Sequence, residues 1–153
     1  MKKASTGPVG ALPHSFSQKD EQLLDRLQVD AFRYFTENVN PRNGLVADSD
    51  KRGAAASIAA IGFALSCYPI AAERGWLSRE QAADITLRTL QFFAGSRQGA
   101  DAQATGHKGF YYHFLDMKTG KRANKCELST IDSAMLMAGM LVASEYFDRN
   151  NTT

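Results

Sequence analysis

Four stretches of this chain have helical apolar periodicity, and they alternate between two kinds. The first, from about Gln18 to Asn38, carries Leu23, Leu24, Leu27, Ala31, Phe32, Tyr34 and Phe35 at three- and four-residue steps, which gives one apolar face. Ser17 is placed to cap it, with Asp20 and Glu21 in its first turn. The second, about Ala55 to Arg74, is apolar nearly all round, so it calls for burial on most sides. Pro69 is expected to kink or break it late, and Gly75 to end it. The third starts at the cap Ser78 and reaches about Phe93, with Ile85, Leu87, Leu90, Phe92 and Phe93 opposite a mostly polar face. The fourth begins near Glu127 or Ser129 and runs to about Phe147 through Ile131, Ala134, Met135, Leu136, Ala138, Met140, Leu141 and Val142. It is apolar on most faces near its start.

One-faced and all-round helices in alternation suit two helical layers, an inner one covered by an outer one, as in an α/α barrel or solenoid. An ordinary four-helix bundle would show similar half-buried stripes throughout. No internal repeat reinforces the pattern. The fold class expected is therefore all-α, with one short β-hairpin before the last helix. That hairpin is read from the aromatic run Gly109 to Leu115 and the turn Asp116 to Gly120. Asn40 to Gly44 reads as a turn and Leu45 to Gly53 as an irregular polar loop. Residues 1–17, rich in Gly, Pro and Ser, read as a disordered segment preceding the domain of residues 18–153.

A net charge of +2 with no Lys/Arg stripe gives no support to nucleic-acid binding. Met1-Lys2-Lys3 is basic, but no apolar region follows it, so no signal peptide is read here. The most apolar run, Ala54 to Ala72, is interrupted by Ser57, Ser66 and Pro69 and fits a buried helix better than a membrane span. Cys67 and Cys126 lack metal-ligand spacing, and His14, His107 and His113 form no ligand cluster in the sequence. Nucleotide-cradling glycine loops, zinc-protease motifs and a serine-hydrolase elbow are missing too. No cofactor and no metal are expected.

Three segments could carry chemistry. The first holds Glu127 and Asp132, where the hairpin enters the last helix. Five residues of helix turn about 500°, so the two carboxylates would not be stacked on one face. The field at a helix start favours a charged carboxylate at Glu127. Burial among apolar residues disfavours the charged form of a carboxyl, as a general acid requires, and Asp132 lies in such a segment. Two structural roles compete with these: Glu127 as a helix cap and Asp132 as a partner for a neighbouring loop. The second segment is Gly109 to Asp116, whose Tyr111, Tyr112, His113 and Asp116 could stack on and hydrogen-bond sugar rings, or simply cover the end of the helical layers. The third is the loop Gly44 to Asp48, with Asp48 as a rim residue or as a solvated one.

These segments resemble the bacterial glucoamylase-like domain, a group that includes endo-β-1,2-glucanases and a domain of cyclic β-1,2-glucan synthases. The matching stretches are Leu23 to Phe35, Asn43 to Asp48, Ala56 to Leu65, Glu73 to Glu80, Gly109 to Met117 and Glu127 to Met135. They follow one another in order over about residues 20–149. The resemblance implies part of an (α/α)6 barrel acting on β-glucans, with Glu127 and Asp132 as catalytic candidates. It implies substrate contacts from Asp48, Tyr111, Tyr112, His113 and Asp116, and a cleft lined by the aromatic hairpin.

The family's domain is longer than this chain, so the chain reads as its N-terminal portion, inactive by itself. The partner expected is a glucan oligo- or polysaccharide. A second copy of the chain, or a C-terminal remainder of the domain, would complete the site. The group is linked to periplasmic or envelope glucans; no localisation is assigned. The alternative reading is a helical module that binds a glycan or protein without catalysis.

Overall fold

A computed structural model describes residues 16–148 of the 153-residue chain. It contains α1 (Gln18–Glu37), β1 (Ala56–Ser57), α2 (Ile58–Glu73), α3 (Arg79–Ala94), β2 (Gly106–His107), β3 (Phe110–Tyr112), β4 (Phe114–Leu115), β5 (Leu128–Ser129) and α4 (Thr130–Tyr146). The fold is mainly helical with small sheets. Most of the segment read as disordered, residues 1–17, lies outside the described residues.

The chain forms two units, divided within α1 between Ala31 and Phe32. In the first, Ser17 and Asp20 cap the start of α1 reciprocally. The Asp20 N–H donates to Ser17 Oγ at 3.3 Å, and the Ser17 N–H to Asp20 Oδ2 at 3.0 Å. Leu23, Leu24 and Leu27 stand exposed.

The second unit holds the core. Phe32 is buried, with its ring against Tyr68 and Trp76. α2 supplies most of the buried surface through Ile58, Ile61, Ala64, Leu65, Tyr68 and Ala71. Pro69 sits within α2 and does not end it; the helix runs on to Glu73. It stops where Gly75 takes a positive φ of 69°. There the Gly75 N–H donates to Ala72 O and the Trp76 N–H to Ala71 O, the paired bonds of a Schellman motif. α3 starts with a full capping box between Ser78 and Gln81.

α2 packs mainly on α4 and then on α3. The two apolar helices are therefore neighbours. α4, however, buries only a stripe of Ser133, Leu136, Gly139 and Ala143. Ile131 is 69% exposed and Leu141 66%, with Met135, Met137 and Val142 also exposed. The expectation of burial on most faces fails for α4, because nothing among the described residues lies against that side. Among the described residues no helix is long and apolar enough to cross a membrane.

The strands place the site. Each apolar helix is entered from a two-residue strand, β1 before α2 and β5 before α4. The aromatic segment pairs with both: Ala56↔Leu115 and Ser57↔Phe114 on one side, Tyr111↔Ser129 and Tyr112↔Leu128 on the other. It thus holds the entries of the two helices together. The expected turn at Asp116 to Gly120 forms, and an earlier hairpin precedes it. The β2–β3 hairpin turns at Lys108 and Gly109, both at positive φ (52° and 84°), as a two-residue hairpin loop requires. Asp116 to Gly120 forms a second turn, closed by the Gly120 N–H on Asp116 O at 2.8 Å and followed by an isolated Leu115↔Arg122 bridge.

Candidate functional site

The β3–β5 register continues one step to place His113 opposite Glu127, with the His113 N–H donating to Glu127 O at 3.1 Å. Directly opposed residues on one strand pair have neighbouring side chains. Here His113 Nδ1 lies 2.9 Å from Glu127 Oε1. On its other side His113 Nε2 lies 3.6 Å from Asp132 Oδ2.

Asp132 is the third residue of α4, whose N-cap Ser129 accepts the Asp132 N–H at 3.2 Å. Its carboxylate thus sits near the positive end of the helix dipole. One ligand atom from each of His113, Glu127 and Asp132 falls within 4.8 Å of the others, so the trio could in principle share a metal ion.

The sequence reading separated the two acids by helical phase. The structure brings them to one imidazole because Glu127 precedes the helix, so helical phase does not apply to it. Glu127 is exposed, and its carboxyl is held below the ordinary range. The first cause is a hydrogen bond from its own backbone N–H, followed by the His113 ring.

Bonds to the backbone fix the surroundings. Ser133 Oγ accepts the Tyr111 N–H at 2.8 Å and donates to Ser129 O at 2.6 Å, locking β3 to the start of α4. Arg122 Nε donates to Cys126 O at 2.6 Å and Nη2 to Lys125 O at 3.1 Å, cinching the loop that leads into Glu127. In that loop Asn124 and Lys125 both have positive φ, 54° and 50°. Cys126, which immediately precedes Glu127 in the chain, is buried. Its sulfur accepts the Phe114 N–H at 3.2 Å and faces Phe114 O at 3.4 Å.

The remaining predicted site residues are placed less uniformly. Tyr111 is half-buried, edge-on to Phe93 with ring centroids 4.9 Å apart. Tyr112 is only 5% exposed, its ring lies under the Arg122 guanidinium and its hydroxyl donates to Gly99 O, so it faces inward. Asp48 is exposed at the rim of a cleft of about 310 Å³ that it shares with Arg52, Phe114 and Asn124.

Asp116 borders an adjoining cleft of about 330 Å³, but its Oδ1 is committed to its own turn. That oxygen accepts the Lys118 and Thr119 N–H groups and the Thr119 hydroxyl. A wider hollow of about 570 Å³, lined by Gln91, Phe92, Arg97, Gln103, Thr105 and Lys121 among others, contains none of the predicted site residues. Arg122 and Phe114 are the site neighbours that sequence reasoning missed. Phe114 stood within the aromatic run, but nothing local marked Arg122.

No family model matches the chain. Its sequence is similar to an exo β-1,2-glucooligosaccharide sophorohydrolase (non-reducing end) of Parabacteroides distasonis. The two are 29% identical over 145 residues, which is 90% of this chain and 19% of that protein. Its structure is similar to that of a glucoamylase-like protein from Bacteroides uniformis, with TM-score 0.75 and 27% identity over 90% of this chain and 33% of that one. A β-1,2-glucanase from Parabacteroides distasonis gives TM-score 0.74 and 27% identity, over 90% and 19% of the two chains. An endo-β-1,2-glucanase from Chitinophaga pinensis shares the fold at TM-score 0.69 and 18% identity, over 90% and 34%. The relatives and structural neighbours are thus glucoamylase-like proteins and β-1,2-glucanases, the group that the sequence motifs resemble. The chain spans 19% of the curated relative's length.

Proposed function

We propose that this chain is a portion of a glycoside-hydrolase-type domain acting on β-glucans, specifically β-1,2-linked ones, with Glu127 and Asp132 as its acidic residues. The observation that carries the reading is the convergence of both acids on His113, within a segment that aligns with a β-1,2-glucan-active relative. Glycoside hydrolysis needs charge stabilisation at a developing oxocarbenium centre and a proton for the leaving oxygen. Glu127, held in its charged form, suits the first of these tasks or that of general base.

An oxygen of each acid lies within 4.8 Å of the other. That spacing lies near the about 5–5.5 Å of retaining pairs and below the about 6.5–9.5 Å of inverting pairs. In this reading the two acids serve one face of the scissile bond through their shared partner His113, and a further carboxyl group from elsewhere in the domain would complete the site. Asp48, Asp116, Tyr111 and His113 would border the bound sugars, with Tyr112 supporting the strand from behind.

The architecture proposed is part of an (α/α)6 barrel, with α2 and α4 as inner helices and α3 as an outer one. Further helix pairs would lie against the exposed side of α4. On this reading the chain alone binds weakly and does not turn over. A second reading, a non-catalytic module that binds a glycan or a protein, is favoured by that same exposed apolar side of α4.

The test adds β-1,2-linked gluco-oligosaccharides to the labelled chain, with β-1,4-linked ones as control, and follows backbone amides and product sugars. Linkage-dependent shifts at residues 48–53 and 111–116 without cleavage are expected. Equal responses to both linkages would remove the β-1,2 assignment, and cleavage by the chain alone would remove the incomplete site. A chimera carrying this chain in place of the matching part of the Parabacteroides distasonis β-1,2-glucanase separates the two readings. Retained cleavage, lost on Glu127→Gln, is expected of the enzyme portion; an inert, well-folded chimera is expected of the binding module.

A further inference from the structure

The hollow of about 570 Å³ beside the end of α3 holds none of the residues assigned to the candidate site. Its volume falls within the range of small-molecule pockets, about 300–1,000 Å³. Residues 91–97 and 119–121 wall it, with Gln103 and Thr105 from the chain between them. Both walls are held by bonds of their own. Thr105 is buried; its N–H donates to Arg97 O at 2.8 Å and its hydroxyl to Gly120 O at 2.9 Å, so one residue ties the two segments together. The Phe92 ring lies so close to the turn that a Cβ on Gly120 would strike it. The hollow is thus preorganised, and a ligand entering it need not order the loops first.

The hydroxyl protons of the walls are already used. Ser96 donates to Phe93 O at 2.7 Å, Thr105 to Gly120 O, and Thr119 to Asp116 Oδ1 at 2.8 Å. What remains on Ser96 and Thr119 is lone pairs, which accept from a ligand's hydroxyls. The donors left over are amides and cations. Gln91 and Gln103 are exposed, with no side-chain partner among the described residues.

Two charged side chains line the hollow, Arg97 and Lys121, and both are cations. Asp101 takes the Nη2 edge of Arg97 at 2.8 Å, which leaves the other guanidinium N–H groups to donate. Lys121 has no ion pair among the described residues. The end of α3 presents partial negative charge nearby, but Gln91 O and Phe93 O there already accept the Gly95 and Ser96 N–H groups.

We propose that this hollow is a second ligand site, for an acidic sugar: a hydroxyl-bearing ring that carries one carboxylate or phosphate. The anionic group sits between Lys121 and the open edge of Arg97, where charge-assisted hydrogen bonds hold it. The ring hydroxyls meet the glutamine amides and the Ser96 and Thr119 oxygens, and the apolar C–H face meets the half-buried Phe92 ring. The site asks nothing of Glu127 or Asp132 and stands whether or not the chain acts on β-glucans.

The test titrates the 15N-labelled full chain with glucuronate, glucose 6-phosphate and glucose, and with acetate and inorganic phosphate as bare anions. At least one acidic sugar should saturably shift the amides of residues 91–97, 103–105 and 119–121; which of the two does so identifies the group as carboxylate or phosphate. Glucose should bind at least about tenfold more weakly, for want of the charge-assisted bonds. Lys121→Gln should weaken the acidic sugar by about tenfold and leave the urea midpoint unchanged, because Lys121 is exposed.

No saturable shift with either acidic sugar overturns the proposal, as does an equal response to glucose. An equal response to acetate or inorganic phosphate removes the sugar and leaves a patch that merely attracts anions. Shifts confined to residues 48–53 or 127–132 place the ligand in the candidate cleft instead. If Lys121→Gln binds as the parent does, the ammonium serves the end of α3 and the assignment falls.

Discussion

Gly62 of α2 and Gly139 of α4 meet backbone to backbone: a Cβ on Gly139 would collide with the carbonyl oxygen of Gly62, and one on Gly62 with that of Met135. The two apolar helices can approach this closely only because both crossing positions lack side chains. Gly139→Ala should therefore destabilise the chain by about 1–3 kcal/mol through overpacking. Urea unfolding monitored by circular dichroism measures it. Gly53, where a Cβ would meet nothing within 4 Å, provides the comparison. Its φ of 82° makes Gly53→Ala a pure backbone effect, of about 1–2 kcal/mol. If pressure from α2 dominates, Gly139→Leu should be far worse than Gly139→Ala, while Gly53→Leu should match Gly53→Ala.

The Ala123–Cys126 turn, closed by the Cys126 N–H on Ala123 O at 3.1 Å, has both central residues at positive φ. Asn124 tolerates that conformation better than Lys125 does. Relief of about 1–2 kcal/mol of strain in Lys125→Gly, set against about 0.5–1 kcal/mol of added chain entropy, predicts a net gain of up to about 1.5 kcal/mol. A lower urea midpoint than the parent chain would show that the Lys125 side chain contributes something the backbone argument omits.

Asp116 is held below the ordinary carboxylate range, first by the Thr119 hydroxyl and then by the Thr119 N–H. A depressed folded pKa means that the turn gains stability at pH above the ordinary Asp value and loses it as pH falls through the folded one. Thr119→Val removes the hydroxyl donor and should raise the Asp116 pKa toward its usual value, as read by carboxyl 13C titration. An unchanged titration would place the cause in the backbone N–H groups instead.

The two sides of α4 should respond oppositely to change. Leu136, fully buried against α2, should lose about 2–5 kcal/mol on Leu136→Ala. Leu141→Gln, on the open side, should change stability by no more than about 0.5 kcal/mol. The same variant should reduce binding of a hydrophobic dye and any self-association seen by sedimentation. Strong destabilisation by Leu141→Gln would mean that its side chain is covered in solution.

What could be read in the sequence was local. Ser78 with Gln81, Gly75 at a helix end and Ser17 before an acidic first turn each act within a few residues, and the elements formed as these signals indicate. The hairpin turn at Lys108 and Gly109 was less legible because lysine is a poor residue for positive φ; the more turn-like Asp116 to Gly120 drew the assignment. The exposed side of α4 was illegible for another reason. Apolar periodicity records what a face is suited to meet, and whether anything meets it depends on the rest of the fold.

Glu127 and Asp132 were recognisable as acids at a helix entrance. Their common partner was not, since His113 reaches Glu127 through strand register although the two lie fourteen positions apart in the chain. Arg122, which closes the same loop, was hidden for the same reason.

The sulfur of Cys126 rests against both backbone groups of Phe114, the residue that stacks on His113. A thiol so enclosed cannot meet an alkylating reagent until that part of the ladder opens. The chain thus carries a built-in clock for the breathing of its own candidate site: the labelling rate of Cys126 counts opening events beside Glu127. Anything that clamps the neighbourhood shut, a bound sugar or a protein surface laid across it, would slow that clock.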